Sequence, residues 1–264
     1  MKNIVWLASY PKSGNTWLRA ILSLAVYNYL DINNLGVYSL NNIIKNLYPN
    51  HDRIEPGDVK NYWDITQKTI SDNAGSSNVI IKTHNVLGNI GGINFPNKNF
   101  TSKIIYIVRD PRDISISYSK HFGIDLDIAV ERILSETNFI FDNKNNTGEV
   151  ISSWQNHINS WINSDIPKMI IKFEDLLLDP KSIIIKLFHF LKIKPNISVD
   201  EIIKKTSFKS LQNKEKKVGF AEASDKTSLF FRNGKKDQWT KYNKKKFKRL
   251  TINLKHTMKS FHYI

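Results

Sequence analysis

The sequence predicts an α/β fold in which helices flank a central parallel β-sheet on both faces. Four short, nearly continuously apolar runs predict strands buried on both faces of such a sheet: Ile4–Ser9, Val79–Thr83, Lys103–Val108 and Met169–Phe173. Helix-like stretches separate or follow them: Thr16–Leu30, Pro111–Lys120, Leu126–Phe141, Glu149–Asn163 and Pro180–Leu191. Alternating strands and helices indicate βαβ units, and 264 residues are enough to bury their core within a single domain, 1–264.

A polar loop, Tyr10-Pro-Lys-Ser-Gly-Asn-Thr-Trp17, lies between the first predicted strand and the first predicted helix. Backbone N–H groups at a helix N-terminus point toward a bound anion, the helix dipole favours negative charge, and Lys12 adds a cation. The segment therefore predicts a phosphate-binding loop and a P-loop-like fold. It departs from the GxxxxGK[ST] pattern because Lys12 precedes Gly14, the only glycine of the loop. We expect a nucleotide phosphate as the ligand, but not ATP or GTP.

Polar residues also follow the second and third predicted strands. His84 comes directly after Val79–Thr83, and Arg109 comes directly after Lys103–Val108. Ligands of open parallel sheets bind beyond the carboxyl ends of the strands, so these residues and the loop are expected to converge on one crevice. Asp110 precedes Pro111 and is expected to cap the next helix rather than to bind magnesium.

Composition narrows the class of protein. The chain carries 39 Lys and Arg against 24 Asp and Glu, a net charge of +15, which fits either attraction of an anionic cosubstrate or a compositional bias. A basic run follows Asp237 without any base-reading motif, so a solvated helix face explains it better than nucleic-acid binding. Its members are Lys241, Lys244, Lys245, Lys246, Lys248 and Arg249.

Cysteine and histidine usage and the length of the apolar runs complete this picture. The chain has no cysteine, and its seven histidines show no metal-ligand spacing, so we predict no metal. The N-terminal apolar run Ile4–Ala8 is too short for a signal peptide, and no run is long enough to span a membrane. We therefore expect a cytoplasmic protein without membrane insertion.

Several segments are predicted to lie outside the main helices and strands. Four polar stretches predict loops: Asn50–Gly57, Ser71–Asn78, Gly88–Lys98 and Asp142–Gly148. Residues 214–236 are polar and weakly patterned, and we expect a flexible flap that orders when a ligand binds. Residues 240–264 are expected to form a basic C-terminal helix or tail.

Five short motifs occur in one order along the chain. They are Pro11-Lys-Ser-Gly-Asn-Thr-Trp17, Lys82-Thr-His84, Val108-Arg-Asp-Pro-Arg112 with Ser117, Thr206-Ser-Phe208 and Phe231-Arg-Asn-Gly234. Together they resemble the cytosolic-type sulfotransferases, which transfer a sulfuryl group from 3′-phosphoadenosine 5′-phosphosulfate (PAPS). The resemblance covers nearly the whole chain. It implies a PAPS-dependent sulfotransferase that acts on a small-molecule hydroxyl or amine and releases adenosine 3′,5′-bisphosphate (PAP).

The resemblance also implies which residues hold the nucleotide. The loop would bind the 5′-phosphate through Lys12, Ser13, Gly14, Asn15 and Thr16. Arg109 and Ser117 would bind the 3′-phosphate, since an arginine fork and a hydroxyl are suited to a dianion. A salt bridge between Arg109 and Asp113 is the alternative for this arginine. The residues that would contact the adenine ring are Trp17, Phe173, Thr206 and Phe208. The flap would contribute Arg232, Asn233 and Gly234 to nucleotide binding. A core position explains Trp17 nearly as well.

The resemblance assigns three catalytic residues. His84 is the base that takes the acceptor proton, since a neutral imidazole accepts a proton near pH 7. Lys12 stabilises the leaving phosphate oxygen, and Lys82 neutralises charge on the sulfuryl group, so no magnesium is needed.

At three positions the chain departs from the family pattern: Asn15 stands where threonine is usual, Phe173 where tyrosine is frequent, and Asn233 where lysine is usual. Two other classes remain as alternatives, a nucleotide-dependent kinase and a basic nucleic-acid-binding protein. The kinase lacks support from a Walker lysine or a magnesium carboxylate.

The acceptor pocket is expected in the loops around Tyr38–Asp64, Asn85–Lys98 and Phe122–Phe141. Their aromatic residues favour an apolar or ring-containing alcohol, phenol or amine; they are Tyr38, Tyr48, Tyr62, Trp63, Phe95, Phe139 and Phe141. Packing in the protein core explains these residues equally well.

Overall fold

The computed structural model describes all residues of the chain except Pro56, Asp225, Thr227, Ser228 and Asn233. The chain forms two compact units, each made of three stretches of sequence. The first unit comprises Met1–Tyr10, Tyr38–Val108 and Ile133–Ile170. The second comprises Pro11–Val37, Arg109–Arg132 and Ile171–Ile264. A single domain over 1–264 stays a prediction, as does the flap at 214–236.

The strands are β1 (Ile4–Ser9), β2 (Val79–Thr83), β3 (Gly88–Ile90), β4 (Ile93–Phe95), β5 (Thr101–Val108), β6 (Phe139–Asp142), β7 (Thr147–Val150) and β8 (Lys168–Lys172). The longer helices are α1 (Asn15–Tyr27), α2 (Leu40–Leu47), α3 (Lys60–Ala74), α4 (Pro111–Phe122), α5 (Leu126–Leu134) and α6 (Trp154–Ile162). They are followed by α7 (Phe173–Leu178), α8 (Pro180–Leu191), α9 (Val199–Lys205), α10 (Phe208–Val218), α11 (Lys248–Asn253) and α12 (Lys255–Ser260).

The main sheet has the strand order β2-β1-β5-β8. The central strand β1 pairs in parallel with β2, from Ile4 opposite Val79 to Ala8 opposite Thr83, and also in parallel with β5. All six residues of β1 are buried, as its continuous apolar run predicts. The predicted α/β fold with a central parallel sheet flanked by helices is confirmed.

The first unit has an aromatic core that includes Trp6 of β1. Phe95 packs against Trp6 with ring centroids 5.0 Å apart, against Trp63 at 4.8 Å and against Trp161 at 6.3 Å. The Trp6 indole N–H donates to the Thr101 hydroxyl at 3.1 Å, which satisfies a polar group that would otherwise be buried without a partner. This packing fixes the strands whose carboxyl ends carry His84 and Val108.

Two segments form β-hairpins where the sequence predicted a loop and a helix. The predicted loop Gly88–Lys98 contains the antiparallel pair β3 and β4, joined by two glycines, a recognised two-residue turn signal. The predicted helix Leu126–Phe141 ends at Leu134, and Phe139–Asp142 pairs antiparallel with β7 instead. The aromatic and β-branched residues at 139–141 favour a strand, and cross-strand side-chain contacts stabilise that strand.

Capping residues explain where two helices begin, and a third predicted boundary differs from the structure. Helix α4 begins at Pro111 as predicted, because the Asp110 carboxylate accepts the Arg112 backbone N–H at 2.9 Å. Helix α6 begins at Trp154 rather than Glu149, because the Ser153 hydroxyl caps it. The predicted loop Ser71–Asn78 begins too early, since α3 continues to Ala74.

The basic segment after residue 240 folds into short helices with one buried face. The 3₁₀ helix Lys244–Phe247 leads into α11 and α12. Apolar side chains from this segment are buried at helical spacing, and charged ones face out; the buried ones are Phe247, Leu250, Leu254 and Met258. Lys246 pairs with Asp127 at 2.6 Å, and Arg249 pairs with Glu131.

Across the part of the chain that the structure describes, no helix has the length and apolar content that crossing a bilayer requires. Within the same residues, no group of three or more His, Asp or Glu side chains is arranged to hold a metal ion. A metal-free site stays a prediction.

Candidate active site

The loop between β1 and α1, in the second unit from Pro11 onward, has the backbone of an anion-binding turn. Lys12 and Gly14 both adopt left-handed conformations, with φ of 69° and 106°. A non-glycine residue with positive φ is uncommon and recurs at ligand-binding turns. No side chain of the described residues caps α1. The Ser13 hydroxyl is buried with no hydrogen-bond partner among those residues, so it suits a phosphate oxygen.

Three predicted nucleotide ligands of the second unit line one small cavity. Lys12 comes from the loop, Ser117 from α4 and Arg232 from the segment after α10. The other lining residues are His121, Leu229 and Phe230. The Lys12 ammonium lies 4.2 Å from the centroid of the Phe230 ring, within range of a cation–π interaction. Burial lowers the pKa of the Arg232 guanidinium. Two cations beside a hydroxyl make this cavity suited to an anionic group.

His121 is a cavity residue that sequence reasoning missed. Burial lowers its pKa to about 3, and the charges of Lys12 and Arg232 act in the same direction. At neutral pH it is therefore an uncharged hydrogen-bonding group in the cavity that Lys12 and Arg232 also line. Its position one helical turn after Ser117 on α4 is the sequence signal that would have pointed to it.

Arg109 is held from several sides in the second unit. Its guanidinium donates to the carbonyl oxygens of Lys12 at 3.2 Å and Lys235 at 3.1 Å, and lies 3.7 Å from an Asp113 carboxylate oxygen. The guanidinium also stacks 4.3 Å above the centroid of the Phe173 ring.

Despite these contacts, the Arg109 guanidinium can still bind an anion. Its Nε is buried without a hydrogen-bond partner among the described residues. Burial lowers the pKa of the guanidinium, and the nearby carboxylates of Asp113, Glu174 and Asp110 only oppose this effect. A dianion would supply both the missing acceptor and the missing charge. The residues present therefore fit a nucleotide phosphate.

The predicted adenine-side residues form an aromatic cluster in the second unit. The Trp17 ring contacts Phe173 and Phe208 edge-on, with both centroid distances 5.9 Å. The Trp17 indole N–H donates to the Thr206 carbonyl at 2.9 Å, while the Thr206 hydroxyl donates to the Ile202 carbonyl. Trp17 is therefore a packed side chain as well as a candidate base contact, and Thr206 acts here through its backbone.

Position 234 requires glycine because its backbone lies against the aromatic cluster. A Cβ at this position would lie 2.3 Å from Phe208 ring atoms, and the residue has φ of +51°. The neighbouring Phe230 and Phe231 are tied to α10, since both backbone N–H groups donate to the Glu215 carboxylate. Asn233, also predicted to bind nucleotide, lies outside the described residues.

His84 lies in the first unit, directly after β2, and its ring is oriented by Ser9 at the end of β1. Its Nδ1 is 2.7 Å from the Ser9 carbonyl oxygen and 3.1 Å from the Ser9 hydroxyl. A carbonyl only accepts hydrogen bonds, so Nδ1 carries the proton and Nε2 carries the lone pair in the neutral ring. The arrangement suits His84 to accept a proton at Nε2.

Lys82 is paired with a carboxylate that sequence reasoning missed. Its ammonium lies 3.2 Å from Glu149 in the hairpin strand β7, and both side chains are largely buried. The other Glu149 oxygen accepts the His84 backbone N–H at 2.5 Å. Glu149 therefore offsets the charge of Lys82 and fixes the backbone of His84. The role of Lys82 toward the sulfuryl group stays a prediction.

His157 supports His84 from the other side. The His157 Nε2 lies 3.0 Å from the His84 carbonyl oxygen, and its Nδ1 lies 2.7 Å from the Tyr106 hydroxyl. The carbonyl requires a proton on Nε2, so Nδ1 accepts from Tyr106. Burial lowers the pKa of His157 to about 4. The neutral ring is therefore the form that supports His84.

The pKa of His157 gives a testable dependence of stability on pH. Its folded-state pKa lies below the unfolded value, so the unfolded chain binds the proton first, and stability falls as pH drops from about 6.5 to about 4. In urea unfolding, the loss between pH 7 and pH 4.5 should be about 2 kcal/mol smaller for His157→Gln than for wild type. The exposed His256 supplies the control: His256→Gln should match wild type. An undiminished loss in His157→Gln would contradict the assignment.

The aromatic residues expected near the acceptor all lie in the first unit, and they differ in burial. Trp63 and Phe95 are fully buried in the core described above, so packing explains them. Tyr48 and Tyr62 contact each other edge-on at 5.0 Å, and Phe141 lies under the Arg53 guanidinium at 4.0 Å. Tyr38 is exposed.

Comparison with known proteins agrees with these features. The family model of the sulfotransferase domain matches residues 2–257. The chain therefore belongs to the sulfotransferase domain family.

Its relatives include Sulfotransferase 1E1 of Cavia porcellus, 30% identical over 211 residues, which are 78% of this chain and 65% of that protein. Sulfotransferase 1E1 of Bos taurus is 30% identical over 242 residues, 88% of this chain and 75% of that protein. The chain thus spans 65% to 75% of the length of these relatives.

Two solved structures share the fold. Mouse sulfotransferase SULT7A1 complexed with PAP has a TM-score of 0.63 and 23% identity, covering 98% of this chain and 85% of that chain. Retinol dehydratase in complex with androsterone and inactive cofactor PAP has a TM-score of 0.65 and 19% identity, covering 97% of this chain and 80% of that chain.

Proposed function

We propose that this protein transfers a sulfuryl group from PAPS to the hydroxyl or amine of a small molecule. The observation that carries the proposal is the cavity of the second unit, where Lys12, Ser117 and Arg232 line one space. Membership of the sulfotransferase domain family supports it, as do the PAP-bound structures that share the fold.

The nucleotide would be held by charge and hydrogen bonds without a metal. Lys12 and the N-terminus of α1 receive the 5′-phosphate. Arg109, Ser117 and Arg232 receive the 3′-phosphate, with the buried Nε of Arg109 as one donor. The aromatic cluster of Trp17, Phe173 and Phe208 supplies an apolar surface for adenine.

Sulfuryl transfer is then an in-line displacement. The acceptor oxygen bonds to sulfur while the bond from sulfur to the bridging phosphate oxygen breaks, and that oxygen keeps the electron pair. Nε2 of His84 takes the acceptor proton, since Nδ1 is committed to the Ser9 carbonyl. Lys12 stabilises the charge that develops on the leaving oxygen.

For the acceptor, we propose a small alcohol, phenol or amine with an apolar or ring-containing body. The exposed Tyr38 and the pair of Tyr48 and Tyr62 support this choice, since aromatic side chains bind apolar bodies through their faces. A screen of such acceptors with labelled PAPS would identify the substrate class.

Thermal unfolding with added nucleotides tests the nucleotide assignment. At about 100-fold excess over its dissociation constant, PAP should raise the melting temperature by roughly 5 °C or more, because ligand binding to the folded state adds about 2.7 kcal/mol. ATP with magnesium should have little effect. A shift with ATP and magnesium alone would support a kinase, and salt-sensitive binding of DNA or RNA alone would support a nucleic-acid-binding protein.

A further inference from the structure

The backbone next to Arg109 is fixed by a buried carboxylate from α7. The Asp110 N–H donates to one Glu174 carboxylate oxygen at 3.0 Å. The Asp110 carboxylate in turn binds the Arg112 guanidinium, with the shortest contact 2.6 Å. Glu174 directly follows Phe173, whose ring lies under the Arg109 guanidinium. Glu174 therefore links both peptide segments that position Arg109.

A segment distant in sequence, Phe261–Tyr263, completes this network within the second unit. The Tyr263 hydroxyl donates to the other Glu174 oxygen at 3.0 Å, and the Tyr263 carbonyl accepts from Arg112 at 2.6 Å. Tyr263 thus contacts both residues that hold Asp110, one through its side chain and one through its backbone. The Lys172 ammonium donates to the Phe261 carbonyl at 2.7 Å, which fastens the segment to the strand that leads into Phe173.

In the pair of Tyr263 and Glu174, the tyrosine hydroxyl is the donor and the carboxylate is the acceptor. Burial, together with the neighbouring Glu174 carboxylate, raises the pKa of the Tyr263 hydroxyl, so it stays protonated and donates. Burial likewise raises the pKa of Glu174, and the hydrogen bonds from Asp110 and Tyr263 oppose that rise. Without the Tyr263 hydroxyl, one buried Glu174 oxygen loses its donor, and the carboxylate that holds Asp110 is destabilised.

We propose that Tyr263 is a positioning residue for the 3′-phosphate site, acting through Glu174 on Asp110 and Arg109. The proposal rests on the proposed nucleotide function for its ligand. It predicts that loss of one hydroxyl outside the cavity weakens recognition of the 3′-phosphate more than recognition of the 5′-phosphate. The network meets the loop at the Lys12 carbonyl oxygen, whereas backbone N–H groups are the donors to a 5′-phosphate.

Calorimetric titration of PAP and adenosine 5′-phosphate into the full chain tests the proposal. Tyr263→Phe should lower the affinity for PAP by about 3–10-fold, the size of one typical net hydrogen bond, and change the affinity for adenosine 5′-phosphate much less. Tyr29→Phe is the matched control, since the Tyr29 hydroxyl also donates to a carboxylate, that of Asp31, on an exposed turn. This control should keep the wild-type preference for PAP.

A double-mutant cycle separates coupling through Glu174 from a general loss of stability. Glu174→Gln should lower the same preference, and adding Tyr263→Phe should have less effect than it has alone, because both changes break one chain of contacts. If Tyr263→Phe does not fold, the affinities of Glu174→Gln for PAP and for adenosine 5′-phosphate test the proposal instead. An unchanged preference in a folded variant, with the preference present in wild type, would overturn the proposal. A wild type that does not distinguish the two nucleotides would overturn the proposed function instead.

Discussion

Replacement of His84 by alanine should lower the turnover of sulfuryl transfer by about 10²–10³-fold, because a positioned general base contributes on that order. The ring is pre-oriented for this role, with Nδ1 held by the Ser9 carbonyl at 2.7 Å and the backbone fixed by Glu149 and His157. PAP should bind the variant as tightly as it binds wild type, since the base acts on the acceptor. Steady-state kinetics with labelled PAPS, combined with calorimetry of PAP, would measure both quantities.

Two further variants sharpen this experiment. Lys12→Ala should lose about 10²–10³-fold in turnover and also bind PAP more weakly, because in the proposed mechanism Lys12 contacts the nucleotide in both the ground state and the transition state. His256→Ala, at an exposed histidine of α12, should behave as wild type. Near-native transfer by His84→Ala across several acceptors would show that another group takes the proton.

PAP should bind more tightly than adenosine 5′-phosphate by roughly 2–4 kcal/mol, the contribution of two or three charge-assisted hydrogen bonds. In the proposed site, Arg109, Ser117 and Arg232 are the donors that only the 3′-phosphate would engage. The buried guanidinium of Arg109 has a lowered pKa and an unpaired Nε, so a dianion stabilises it in two ways. Arg109→Ala should erase most of the preference while affinity for adenosine 5′-phosphate barely changes.

Calorimetry with both nucleotides on wild type, Arg109→Ala and Arg132→Ala would measure this preference. Arg132 is an exposed arginine of α5 and serves as the control for loss of one positive charge, so its variant should keep the preference. Equal affinities of wild type for the two nucleotides would contradict the sulfotransferase proposal itself.

Local sequence signals were sufficient for much of the fold. The apolar run Ile4–Ser9 predicted a buried strand, because a strand covered on both faces needs apolar residues at nearly every position. Asp110 before Pro111 predicted the start of α4, since a side-chain cap and a fixed φ act within one turn. The hairpin at Phe139–Asp142 was missed, because a short apolar run fits a helix and a strand equally until its partner strand is known.

The sequence by itself determined the α/β class, the order of the motifs and most of the candidate site residues, because strand burial, helix caps and loop chemistry act over a few neighbouring residues. Only the tertiary structure decided the partners of those residues. Glu149 joins His84 from 65 positions away, and Trp17 joins Thr206 across 189. Such contacts form once the packed core has brought distant segments together, and no local pattern records which buried carboxylate or carbonyl a side chain will meet.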